Sequence, residues 1–220
     1  MTKWRPSRQG VVIGCVLSTA WATVWLAMAG AQCRAVEAGF WFEEVTFSSG
    51  KLGGPITRQE MDTLVSMARA EVRDAFAGLN ITFTDRRDTP YRVRVVQDLR
   101  DQRFRRLVYI PAETRAASGL GGQGAVSFSW LASSAVVYAP EDADRATMIQ
   151  AIARGIGRTA VHEFVHVLLP HVPIHDSDDI RSYEYHSAAR REQYFGDMHW
   201  DLARPLLQER LVPCTDGRSS

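Results

Sequence analysis

The chain reads as an α+β fold. Three observations carry that reading. Strand-like runs rich in aromatic and β-branched residues occur near the start and in the middle, two long segments show a helical apolar face, and the order is one strand, a helix, several strands and then the longest helix. With 220 residues, 45% of them apolar and 23% charged, there is material for one domain with a real core plus short appendages, and global disorder is excluded.

The elements follow in order. Residues 40–48 (FWFEEVTFS) read as a first strand, and 48–55 as a turn-rich link. Thr57 and Glu60 have capping-box spacing, and Met61, Leu64, Val65, Ala68, Val72, Phe76 and Leu79 then keep the 3.6-residue period of an amphipathic helix. Residues 81–84 form a short strand and 91–96 alternate as another. The charged run 98–106 is expected to be a solvated loop. The Gly-rich stretch 119–124 lacks the GK[ST] of a phosphate loop and reads as a flexible turn before a strand. Residues 125–138 suggest two short strands or a hairpin. A long helix is expected over about 145–169, with Gly155 and Gly157 marking a close helix-to-sheet contact. A last helix is expected over 187–211, with Ser187 as its N-cap.

The N-terminal segment reads as a targeting signal. Lys3, Arg5 and Arg8 precede an uncharged, mostly apolar run over 9–33, and Ala29-Gly30-Ala31 fits a small-x-small cleavage site. Residues 1–31 are therefore expected to be a cleaved export signal or an N-terminal membrane anchor, with residues 32–220 as the working domain. Without 1–31 the chain keeps 23 basic against 25 acidic residues, so no basic surplus supports nucleic-acid binding. Cys33 and Cys214 remain near the two ends and could form one disulfide in an oxidising compartment.

All six histidines fall between positions 162 and 199. His162-Glu163-Phe164-Val165-His166 is an HExxH motif within the long helix. Residues four apart lie on one helical face, so both imidazoles can reach one zinc ion, and Glu163 can serve a metal-bound water as general base. Ile149, Ile152, Ile156, Ala160, Phe164 and Val167 form the opposite, apolar face.

HEFVHVLLPH followed by HDSDDIRSYEY resembles the metzincin zinc proteases, most of all the matrixin-type branch, whose pattern is HExxHxxGxxH followed by a Met-turn of the form S-x-M-x-Y. The resemblance runs from about residue 40 to about residue 211. It implies a twisted mixed sheet with long helices, the second carrying HExxH, and a C-terminal helix. It implies His162 and His166 as the first two zinc ligands, Glu163 as general base, and Tyr183, at the Met-turn tyrosine, as an oxyanion stabiliser. It also implies that a strand within 125–138 pairs with an extended peptide substrate.

The chain departs from the pattern at two points. Val167-Leu168-Leu169-Pro170 lacks the turn glycine, which leaves His171 one position early and Val172 at the formal third-ligand position. Arg181 stands where the Met-turn methionine belongs. His171 is the first choice for the third ligand, with His175 or Asp176 available if the loop is longer and Glu184 as a separate possibility. Glu192, Asp197 and His199 could hold a ligand imidazole from behind. The reading is an exported zinc metalloendopeptidase acting on peptide or protein substrates, touching a membrane only through an uncleaved N-terminal segment. The alternative is a decayed protease-fold binding protein with a structural or empty metal site. The retained Glu163 favours the first, and the missing glycine and methionine favour the second.

Overall fold

Five strands and two long helices build the domain. The computed structural model describes residues 35–101, 108–117, 121–169, 175, 177–185 and 187–211. Residues 1–34, which hold the expected export signal or membrane anchor and Cys33, lie outside the described residues, as do His171, Asp176, His186 and Cys214.

Strand β1 (Val36–Phe42) is followed by a two-residue ladder of β2 (Ser48–Ser49) and β3 (Gly54–Pro55), and then by helix α1 (Arg58–Ala75). Next come β4 (Ile81–Thr84), β5 (Tyr91–Val96), a second small ladder of β6 (Arg100–Asp101) and β7 (Val108–Tyr109), then β8 (Ala112–Ala117) and β9 (Gly121–Ser127). Helices α2 (Phe128–Tyr138), α3 (Arg145–Leu168), α4 (Glu192–Phe195) and α5 (Ala203–Arg210) complete the order. The main sheet runs β4-β1-β5-β9-β8, with its first four strands parallel and β8 antiparallel to β9. The fold is thus α+β, a mixed five-stranded sheet packed on α1 and α3.

The expected capping box of α1 is present: Glu60 N–H donates to the Thr57 hydroxyl at 3.3 Å, and Thr57 N–H donates to the Glu60 carboxylate at 2.8 Å. The same carboxylate takes the Arg145 guanidinium at 2.5 Å, so the first turns of α1 and α3 are joined. Alternate residues of β1 and β5 face the helices, with Ala38, Phe40, Val93 and Val95 buried. On the other face Arg94 pairs with Glu43 at 2.9 Å and Arg86 with Glu37 at 3.2 Å. Phe164 anchors α3 in the core, its ring meeting those of Phe83, Phe40 and Phe76 at 5.0, 6.2 and 6.2 Å.

Several expectations need correction. The first strand is Val36–Phe42 rather than 40–48: the small buried residues Ala38 and Gly39 lie where β1 runs between β4 and β5, and residues 43–47 are not strand. Residues 121–124 form part of β9 rather than a turn. Residues 128–138 are the helix α2, not strands. Phe128, Leu131, Ala132, Ala135 and Val136 are buried at helical spacing, and that period outweighs the β-branched content. Gly155 and Gly157 mark contacts between helical elements rather than with the sheet: a Cβ at Gly155 would meet the Tyr194 ring at 2.4 Å, and one at Gly157 the Glu71 Cβ at 2.7 Å. Residues 187–211 do not make one helix. The chain breaks after α4 at Gly196, extended at φ −91 and ψ 179, and restarts at Ala203, while Ser187 closes a local turn onto Ala189 N–H at 3.1 Å.

Candidate metal centre

His162 and His166 lie one turn apart near the end of α3, where its packed face turns away and the other opens to a cavity of about 580 Å³. His175 comes from the segment after the helix. Its backbone sits at φ +91, in the left-handed region that a non-glycine residue seldom adopts, and its N–H donates to the Glu184 carbonyl at 3.2 Å. That conformation returns the imidazole toward the helix. The three Nε2 atoms lie 3.1 Å (His162–His166), 3.1 Å (His162–His175) and 2.9 Å (His166–His175) apart. They form the one candidate metal group found among the described residues.

The donor chemistry fits a zinc ion. His162 Nδ1 lies 2.7 Å from the Tyr183 carbonyl, which can only accept, so the ring proton is on Nδ1 and the Nε2 lone pair points to the centre. Burial, then the neighbouring His166, pushes the His162 pKa down to about 3, and burial, then His175, pushes that of His166 down to about 4. Both rings are therefore neutral at pH 7, the form that ligates. A triangle of this size accommodates three bonds of ~2.0–2.1 Å to one ion.

Glu163 is buried, 5% exposed, beside the triad. The Thr114 hydroxyl on β8 donates to its carboxylate. Burial pushes its pKa up to about 7, with the Thr114 bond opposing and Glu113 adding to the rise. Gly124 on β9 makes room for it, since a Cβ there would stand 3.0 Å from the Glu163 Cβ. The cavity is bounded on one side by Ala112, Glu113 and Thr114 of β8, and on the other by the three histidines, Tyr185 and Arg190.

The remaining expected residues are placed as follows. Tyr183 meets the site through its backbone carbonyl. Its ring packs on Trp200 with centroids 4.9 Å apart, and burial, then Glu71, pushes its hydroxyl up to about 12. Glu184 accepts from Ala203 N–H at 2.7 Å and Leu202 N–H at 3.1 Å, and so caps α5. Support from behind for His162 comes from the Tyr183 carbonyl, while His199 is exposed and stands 3.2 Å from Asp179. Arg181 is exposed. Thr114, Gly124, Tyr185 and Arg190 went unrecognised in the sequence, because no local pattern ties a strand threonine or a distant arginine to a helix motif. In comparisons with known proteins, no protein-family model and no curated protein matches the chain.

Proposed function

We propose that the protein is an exported zinc-dependent peptidase. The observation that supports this best is the meeting of three imidazoles, those of His162 and His166 held neutral, with a buried Glu163 in one cavity. A purely structural metal site would have no use for that carboxylate. Zinc held by His162, His166 and His175 would lower the pKa of a water and polarise a carbonyl. The chain's own residues supply the rest. Glu163, with its pKa lifted to about 7, can take the proton of the attacking water and return it to the leaving amine. The Thr114 hydroxyl holds the carboxylate in place. As the terminal strand of the sheet and a wall of the cavity, β8 can add an extended peptide by main-chain hydrogen bonds. This moves the peptide-binding edge from the segment 125–138 to residues 112–117. Export is inferred from the basic and then apolar character of residues 1–31.

The test is hydrolysis of an unfolded protein by zinc-loaded wild type and Glu163→Gln. Both should retain zinc, and the variant should lose activity by about 10²- to 10⁴-fold. A zinc-loaded wild type that cleaves nothing, or a Gln variant that cleaves as fast, would contradict the reading.

A further inference from the structure

Arg190 is a buried, ionised side chain without an ion pair among the described residues, the Glu192 charge acting on it without a direct bond. It is 7% exposed and lines the same cavity as the three histidines. Its Nη2 donates to the Ser182 carbonyl at 2.9 Å and to Gln193 Oε1 at 3.0 Å. Nε and Nη1 are buried and have no hydrogen-bond partner. No ion pair to Arg190 occurs among the described residues, whereas the other buried arginine, Arg158, bonds the Glu71 carboxylate at 2.7 Å and three backbone carbonyls. Burial pulls the Arg190 pKa down to about 10, which still leaves it charged at neutral pH.

A buried guanidinium with two unmade N–H bonds is costly unless something else completes it. The guanidinium is also held still. Gln193, which accepts from Nη2, donates in turn to the Thr159 hydroxyl at 3.1 Å, and Thr159 lies one helical turn before Glu163. The Tyr185 ring sits 4.8 Å from the guanidinium carbon. An aromatic face attracts a cation but does not satisfy in-plane N–H donors. The two carboxylates lining the cavity do not fill the gap, since Glu163 bonds Thr114 and neither Glu163 nor Glu113 ion-pairs with Arg190.

We propose that Arg190 sets the specificity of this cavity by binding a substrate carboxylate through its free N–H groups, so that the preferred substrate carries a carboxylate close to the bond being cut. This rests on the peptidase reading above. A guanidinium meets a carboxylate through paired N–H donors, a geometry that neutral or basic side chains cannot match. The carboxylate can come from an Asp or Glu side chain within the chain or from a C-terminal α-carboxylate.

The test uses quenched fluorescent peptides, identical except for Glu, Gln, Leu or Lys at the residues flanking the cleaved bond, with amidated C-termini. A parallel Gln peptide with a free C-terminus close to that bond is the second arm. Cleavage is measured with wild type, and binding with zinc-loaded Glu163→Gln, each also carrying Arg190→Gln or Arg190→Lys. The Glu peptide should be preferred over Gln by about tenfold or more, Arg190→Gln should abolish the preference, and Arg190→Lys should keep part of it. If the free C-terminus instead confers the advantage, the carboxylate is the terminal one. Cleavage without preference in either arm would overturn this proposal and leave the peptidase reading standing. Absence of all cleavage would sink that reading, while the binding arm would still report on Arg190. A preference that survives Arg190→Gln would place the carboxylate on the zinc and also overturn the proposal. The wild-type arms need no folded variant.

Discussion

Glu163 and the two histidines around it titrate in opposite directions on folding, and this gives the metal-free protein a pH dependence of definite sign. His162 and His166 fall from 6.5 to about 3 and about 4, so between those values and 6.5 the unfolded chain binds protons that the folded chain refuses. Their penalty is absent above pH 6.5 and grows as pH falls. Glu163 rises from 4.5 to about 7, so its contribution is full below pH 4.5 and is lost as pH rises through about 7. Between pH 4.5 and 6.5, these groups bind two protons in the unfolded state and one in the folded state. Stability of the chelator-treated protein should therefore rise with pH by ~1.4 kcal/mol per unit across that window. Glu163→Gln removes the opposing proton and should roughly double the slope, as read from urea midpoints. An unchanged slope would mean that Glu163 is not held protonated in the fold. The motif itself was plain in the sequence because HExxH is five consecutive residues, little more than one helix turn. His175 was only one of several choices, because a positive φ in the segment after a helix leaves no periodic trace.

At the scale of elements, α1 and α3 approach with no side-chain layer between them at Gly157. A Cβ added there would stand 2.7 Å from the Glu71 Cβ and 2.8 Å from the Ala68 carbonyl oxygen, and the backbone contact cannot yield cheaply. Gly157→Ala should therefore destabilise the protein by ~1–3 kcal/mol in denaturant unfolding, although alanine is the better helix former by ~1 kcal/mol. Stabilisation instead would show that the two helices can move apart freely. The helices α1 and α3 were legible because capping and the 3.6 period agree over many residues. The region α2 misled because Val136, Val137 and Tyr138 favour a strand by composition, while burial on the helical period decided otherwise. The C-terminal region misled because Trp200, whose indole N–H donates to the Ala75 carbonyl at 2.9 Å, follows a tertiary contact rather than a helical repeat.

At the scale of the molecule, the candidate site gathers β8, α3, the segment around 175–185 and Arg190 into one cavity. One short stretch of sequence announces only the α3 share. The rest depends on sheet order, on the antiparallel return of β8, and on the Glu184 cap that fixes the 182–185 turn against α5. The histidine triad is where these long-range contacts converge, so zinc stoichiometry is the most direct measure of the account. Wild type, His175→Ala and His171→Ala are dialysed against a zinc buffer, and zinc per chain is counted by elemental analysis. One zinc in wild type and in His171→Ala, with its loss in His175→Ala, is the expected result. No zinc in wild type, or full retention in His175→Ala, would contradict the account.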